Sequence, residues 1–491
     1  MYLTLAHAAT CPSISLAHAD KICFVLCSHI FYRNMEQTTI KTYFTPPTEK
    51  VIAADYGLNE GQQSAFDAIL AGKSVFITGS GGTGKSFLLE KLHVHYKTKM
   101  KKKLSITAMT GCAGVLIGPF AKTLHSWAGI GLGRGDPEKI AESVAADRRK
   151  GPRWRQTACL VIDEVSMMTP ALLELLDAVG RKARKCPEKP FGGIQLVFVG
   201  DFYQLPPVSR DSSGTFAFDS PLWKEVVQET HFLTEIIRQK DPAFQKILNE
   251  ARIGELSEES YATLESRMTM EWKSQEIKPT LLFTRNTDVS AINENKIRKL
   301  PGEERVYRVK TDVAEGLSPD VVRMLEEKLD RDAPYEVELR LKERAQVMLL
   351  KQLYEEVENK DGKKSLSPIH GLVNGSRGIV TGFAADGNPV VKFMNGKNLT
   401  VKPAAWSSDD EPGALKRVQI PLRVAYALTI HKAQGASLDS ALVDVGPSTF
   451  ECGQAYVALS RVRNLDSLFI YEISPKSFRA HPAVKAFYAA L

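Results

Sequence analysis

The eight residues Gly79-Ser80-Gly81-Gly82-Thr83-Gly84-Lys85-Ser86 constrain this chain more than any other stretch of it. They fit GxxxxGK[ST] and lie between an apolar run, Val75–Thr78, and a helical pattern that begins at Lys85. A glycine-rich turn in that setting lets successive backbone N–H groups curl around an anion, and the helix N-terminus adds partial positive charge. Such loops belong at the carboxyl edge of a parallel sheet with crossover helices, so an α/β fold is expected. Leu104–Ala108, Leu160–Ile162 and Leu196–Val199 read as further buried strands, with helices over Lys85–Tyr96 and Pro170–Lys185.

The loop predicts ATP as cofactor, with Gly79, Ser80, Gly81, Gly82, Thr83 and Gly84 around the phosphates. Lys85 is expected to reach the β- and γ-phosphates, and the Ser86 hydroxyl to help hold Mg²⁺. Asp163-Glu164 closes the apolar run Ala158–Ile162, where a strand's carboxyl end faces the nucleotide. Two adjacent acids alone are commonly a solvated turn. Beside a phosphate loop, they read as a Mg²⁺-holding Asp163 and a water-polarising Glu164. Gln204, in Gly200-Asp201-Phe202-Tyr203-Gln204-Leu205-Pro206-Pro207, suits a γ-phosphate sensor. Arg238 and Arg461, taken as part of a second lobe, are candidates to neutralise charge across a cleft, although either alone could be a surface ion pair.

A length of 491 residues suggests more than one domain, and the net charge of +7 permits a nucleic-acid partner without requiring one. No apolar run reaches the roughly 18 residues of a membrane span, and the seven scattered cysteines form no paired CxxC set. That usage fits a reducing compartment. Residues 1–50 carry no sustained period and end in Pro46-Pro47, so they are read as mostly disordered, with Met35 a plausible second start. A first α/β lobe is expected over 51–230 and a second over 231–491, the latter with strands Leu281–Thr284, Ala441–Val445 and Leu468–Tyr471. A β-rich interruption is expected over 337–419, where Gln346–Leu350, Arg377–Val380 and Val390–Phe393 alternate with Gly-containing turns as in a small β-barrel.

Further motifs carry a resemblance. Leu58-Asn59-Glu60-Gly61-Gln62 looks like an adenine-reading Q motif, with Gln62 the contact. Thr110–Gly114, Thr123–Gly131, Leu172–Leu196, Leu233–Gln239, Ala427–Gly435 and Gly453–Arg461 follow in order. The ordered set resembles the petite-integration-frequency (PIF-type) DNA helicases of superfamily one, subgroup B, with RecD-type helicases as more distant relatives. Gly114 departs from the usual alanine, and Glu343-Arg344 stand where a Val-Gly pair is common. The resemblance implies two RecA-like parallel-sheet lobes, a wedge insert near 129–155 and a β-barrel insert near 337–419. It also implies ATP-dependent 5′→3′ movement on single-stranded DNA, and polarity rests on it alone.

A motor on single strands needs phosphate contacts and stacking or wedging groups. Thr123, His125, Phe202, Pro206, Asn374, Gly375, His431 and Lys432 sit in motif loops expected to face that track. His125 and His431 would equally serve as neutral structural histidines. The basic runs 97–103 and 148–155 are ordinarily solvated faces, the second lying in the wedge region. In the first segment, Gln37, Ile40, Tyr43 and Phe44 have the spacing of a sliding-clamp binding box, which could fold into one turn and fill an apolar pocket. The expected partners are single-stranded and forked DNA and, through residues 37–44, the sliding clamp, with no membrane, a monomeric state and a nuclear location. A mitochondrial or viral replication site is the alternative location. Other readings are a translocase without efficient unwinding and the helicase of a viral or transposon system. From another class, a small-molecule kinase would share the phosphate loop but not the second lobe.

Overall fold

Six parallel strands organise the first half of the chain: β1 (Val75–Thr78), β2 (Lys103–Ala108), β3 (Ala121–Thr123), β4 (Thr157–Asp163), β5 (Gln195–Val199) and β6 (Glu229–Phe232). Their spatial order is β3-β2-β4-β5-β1-β6. The computed structural model of the protein describes residues 56–491 except 119, 132, 208–215, 314–317, 333–334, 352, 359–363, 370–371, 373–374 and 408–414. The expected disordered segment, the clamp box at Gln37, Ile40, Tyr43 and Phe44, and Asn374 therefore lie outside the described residues.

Strands of the first sheet are nearly continuous apolar runs because helices cover both faces. Val75, Phe76, Ile77, Leu160, Val161, Ile162, Val197, Phe198 and Val199 are all fully buried. Parallel pairing places every carboxyl end at one edge. Register pairs such as Ile77 with Val199 and Ala108 with Asp163 bring the phosphate loop, the acid pair and the 200–207 turn to that edge together. The wedge region expected near 129–155 holds two short helices, Pro137–Ala146 and Lys150–Gln156. Trp154 is buried there against Trp127, with its indole N–H donating to the Ala128 carbonyl at 3.0 Å.

The second lobe has a four-stranded parallel sheet formed by Ala427–Thr429, Thr280–Phe283, Ala441–Val445 and Leu468–Ile473, in that spatial order. The α/β expectation with two parallel-sheet lobes is met. The β-rich insert consists of a five-stranded antiparallel sheet flanked by smaller sheets. Strand pairing reaches further back than the expected start near 337. Arg305–Arg308 pairs with Glu338–Leu341, and Lys310–Val313 with Leu415–Gln419. Arg305–Arg308 and Lys310–Val313 are charged and mostly exposed, so they have no apolar run to reveal them.

Each lobe also borrows from the other half of the chain. Leu205, from the turn after β5, is fully buried in the second lobe's core. The terminal helix Pro482–Ala489, expected within the second lobe, instead packs Val484, Phe487 and Tyr488 on the first lobe's core. Its short apolar face matches either core, so only tertiary packing assigns it. Among the described residues, no helix is long and apolar enough to cross a membrane.

Candidate active site

The phosphate loop closes on itself as its composition predicts. The Lys85 ammonium donates to the Gly79 and Ser80 carbonyls at 2.7 and 2.9 Å, and the Thr83 hydroxyl donates to the Ser80 carbonyl at 3.0 Å. Gly82 has φ +94°, and a Cβ there would lie 2.7 Å from the Arg238 Cβ, so both conformation and space require glycine. Gln62 sits beneath the loop. Its oxygen accepts from the Asn59 N–H at 3.1 Å and its amide donates to the Thr83 and Gly84 carbonyls at 3.3 and 3.4 Å. Here the expected adenine reader braces the loop and caps the helix Glu60–Leu70.

A cleft of about 580 Å³ opens above the loop. Gln62, Gly81, Gly82, Gly84, Lys85, Ser86, Asp163, Glu164, Gln204, Arg238 and Arg461 all line it. Gly79, Ser80 and Thr83 lie behind them, as carbonyl acceptors and a fully buried hydroxyl. Glu164 occupies the left-handed region (φ 57°, ψ 43°), which costs a non-glycine residue about 1–2 kcal/mol. Strain of this kind persists where surrounding contacts impose it. Here Gln434 of the second lobe donates to the Glu164 carboxylate at 3.0 Å.

The two arginines differ. Arg461 is 1 % exposed and holds the Val457, Ala433 and Ala436 carbonyls and the Ser460 hydroxyl. Burial lowers its pKa to about 10, helped by nearby Arg238 and opposed by Glu164, and it stays a cation at neutral pH. Arg238 was expected to reach across from the second lobe. Its backbone instead rides on the phosphate loop, the Ile237 and Arg238 N–H groups donating to the Gly82 carbonyl at 2.9 and 3.1 Å. Only its side chain crosses, to the Ser460 carbonyl at 3.3 Å.

Beneath the loop lies a polar centre that motif reading passed over. Asp201, fully buried, pairs both its oxygens with Arg252 at 2.9 Å. Burial alone would lower the Arg252 pKa, and Asp201 outweighs it and raises the guanidinium above its ordinary value. The Tyr456 hydroxyl donates to Asp201 at 3.4 Å and accepts from the Gly81 N–H at 2.6 Å. Tyr488, from the terminal helix, bonds the Thr78 hydroxyl at 2.6 Å and accepts from the Phe202 N–H at 3.1 Å. Buried networks that satisfy each member rigidify their surroundings, and this one ties the loop to both lobes.

The donor chemistry suits a hard divalent cation. Ser86 and Asp163 offer oxygens to the same cleft. Burial and the neighbouring Glu164 push the Asp163 carboxyl up to about 7, a cost that a cation at that carboxylate would relieve.

The expected DNA track divides. Thr123 and Thr429 each end a strand and cap the next short helix, their hydroxyls accepting from Ser126 and Lys432 N–H at 3.3 Å. His125 and His431 follow at the same offset, both half-buried, and Lys432 is exposed. Burial lowers the His431 pKa, partly offset by Glu451, which favours the neutral ring. Phe202 does not belong to a track. It is 1 % exposed, ringed by Phe76, Phe216, Phe218, Trp223 and Phe487, because the 201–207 turn folds inward under the network. Pro206 is buried in the same turn. Gly375 is buried too, with φ +96° and its Cβ position 2.9 Å from the Ser437 carbonyl, a close backbone approach rather than an exposed contact.

Phe87 and Ile237 also line the cleft, with 37 % and 49 % exposure. Their signal was an apolar side chain at an exposed helix position and one in a loop, which pattern alone cannot distinguish from ordinary surface.

A PIF1-like helicase family model matches residues 57–260. The ATP-dependent DNA helicase PIF1 of Xenopus laevis is 39 % identical over 438 residues, covering 88 % of this chain and 64 % of that protein. This chain thus spans just under two thirds of that relative's length. The crystal structure of Pif1 helicase from Candida albicans superimposes with a TM-score of 0.72 at 34 % identity, covering 88 % of this chain and 99 % of that one. A Bacteroides Pif1 helicase in complex with ADP-AlF3 and ssDNA gives 0.60 at 26 %, covering 88 % and 97 %.

Proposed function

This chain belongs to the PIF1-like helicase family, and on that footing we propose that it is an ATP-dependent DNA helicase moving 5′→3′ on single-stranded DNA. One observation carries the reading: Gln434 and Arg461 of the second lobe meet Glu164 and the phosphate loop of the first in one cleft. A nucleotide held at such a junction couples hydrolysis to lobe movement, which a small-molecule kinase does not need. The Bacteroides relative named with ADP-AlF3 and ssDNA supports the same substrates for this chain.

Within the site, Lys85 moves from its loop carbonyls to the β- and γ-phosphates. Glu164 orients and polarises the attacking water, while Gln204 senses the γ-phosphate. Arg238 and Arg461 stabilise the charge spread in the transition state. Ser86 and Asp163 would hold Mg²⁺, which supplies charge neutralisation at the phosphate oxygens. Phe87 and Ile237 offer apolar faces for a base near Asn59 and Gln62.

Thr123, His125, His431 and Lys432, on both lobes, form the DNA track, with Asn374 a further contact. The lobes take 51–230 and 231–491, modified by the terminal helix, and the wedge and insert act on duplex or forked DNA. The chain acts as a monomer in nuclear genome maintenance, and Gln37, Ile40, Tyr43 and Phe44 recruit a sliding clamp. Tyr43→Ala with Phe44→Ala is expected to abolish clamp pull-down and leave ATPase intact.

ATPase measured with and without single-stranded DNA, beside unwinding of partial duplexes with 5′ or 3′ tails, tests the proposal. Lys85→Ala is the inactive control. DNA-stimulated hydrolysis with unwinding only from the 5′ tail is expected. Hydrolysis indifferent to DNA would refute it.

A further inference from the structure

Arg238 faces two cavities. It lines the nucleotide cleft, and with Ile237 it also lines a second cavity of about 720 Å³ completed by Lys240, Asp241, Ser437, Arg463 and Asn464. This second space carries a surplus of positive charge. The Asp241 carboxylate is engaged in capping the helix Pro242–Ile253, accepting from the Ala243 N–H at 2.9 Å. The Asn464 amide oxygen accepts from the Ser467 N–H at 2.9 Å. Lys240 and Arg463 are exposed, and no ion pair or side-chain hydrogen bond holds either among the described residues.

Burial lowers the pKa of Arg238; Tyr456 opposes this and Arg463 adds to it. Arg238 and Arg463 line the same cavity, and an anion between them would turn their repulsion into attraction. The backbone of Arg238 is fixed to the Gly82 carbonyl. Its side chain thus stands between the phosphate loop on one side and Lys240 and Arg463 on the other.

Resting on the helicase reading, we propose that this cavity is an exit site for inorganic phosphate. The anion released by hydrolysis passes Arg238 and is held by Lys240 and Arg463 before it reaches solvent. The ligand class is a small tetrahedral dianion. The walls shared with the cleft at Ile237 and Arg238 favour it over a nucleic-acid phosphate, which would approach from the outer surface.

The test uses the full chain with MgADP bound and inorganic phosphate as the titrant, followed by ³¹P NMR. Lys240→Ala with Arg463→Ala is expected to weaken phosphate binding roughly 10-fold, as loss of two charge contacts in a partly screened cavity implies. Lys240→Arg with Arg463→Lys preserves the charge, controls for folding, and is expected to bind within about 3-fold of the parent. In single turnovers, a fluorescent phosphate reporter read against chemical quench is expected to show altered release in the alanine variant relative to cleavage. Unchanged phosphate affinity in the alanine variant overturns the proposal. So does a selective loss of single-stranded DNA affinity, which would assign the cavity to the DNA track. A parent protein that binds phosphate through these residues but hydrolyses ATP indifferently to DNA would sink the helicase reading and leave the anion site standing.

Discussion

The two lobes end one of their strands in the same way and use the result differently. Thr123-Leu124-His125 and Thr429-Ile430-His431 both place a threonine at a strand end as a helix cap, with a histidine two residues on. Both turns lie at the carboxyl edge of a parallel sheet, where loops can face a ligand. Among the described residues at these sheet edges, the first lobe alone adds a glycine-rich loop and an acid pair. The second supplies side chains, Gln434, Tyr456 and Arg461, that complete the first lobe's site. Under the proposed function, the difference teaches that one lobe would bind nucleotide largely through backbone, while the other would make hydrolysis depend on how the lobes stand.

The strongest way to break that division is Arg461→Ala. Hydrolysis is expected to fall by about 10³–10⁵-fold, with fluorescent-nucleotide affinity changing only a few-fold, roughly, since binding rests on the other lobe. Equal losses in both would show that the lobes are not so divided. Glu164→Gln comes next, with hydrolysis reduced about 10²–10⁴-fold and nucleotide binding retained. Single-turnover assays would expose a substitute base if cleavage remained near the parental rate.

Phe202→Ala separates core from track. Burial among five aromatic rings predicts a stability loss of about 3–5 kcal/mol in denaturant unfolding, with the folded fraction binding single strands as before. A stable variant with selectively poor DNA binding would return Phe202 to the track. The smallest effects sharpen the repeat itself. Thr123→Ala and Thr429→Ala should each cost about 1 kcal/mol of cap stability and lower single-strand affinity on both lobes alike. If only one substitution moved DNA affinity, the two turns would share a shape but not a role.

Legibility followed the range of the forces involved. The glycine-rich loop and its cleft were readable because a local strand–loop–helix pattern dictates the backbone, and Asp163-Glu164 follows its own apolar strand. The motif around Phe202 suggests an exposed turn, whereas four surrounding segments decide its burial. Gln62 lines the cleft, as its place in the motif suggests, but its braced orientation depends on carbonyls of Thr83 and Gly84. Asp201 and Tyr456 lie in motifs that give them no partner, Arg252 and Tyr488 lie in none, and up to 287 residues separate them in sequence, so no local spacing pairs them.

By itself, the sequence determined the α/β character, the phosphate loop with its lysine and serine, and the acid pair, all products of short-range periodicity and backbone chemistry. Tertiary structure alone decided which lobe the terminal helix joins and which aromatics lie in the core. It also decided that Gln434 reaches Glu164 and that Arg238 stands between two cavities. These are contacts between segments far apart in the chain, where packing and charge select one partner among many that local pattern leaves equal.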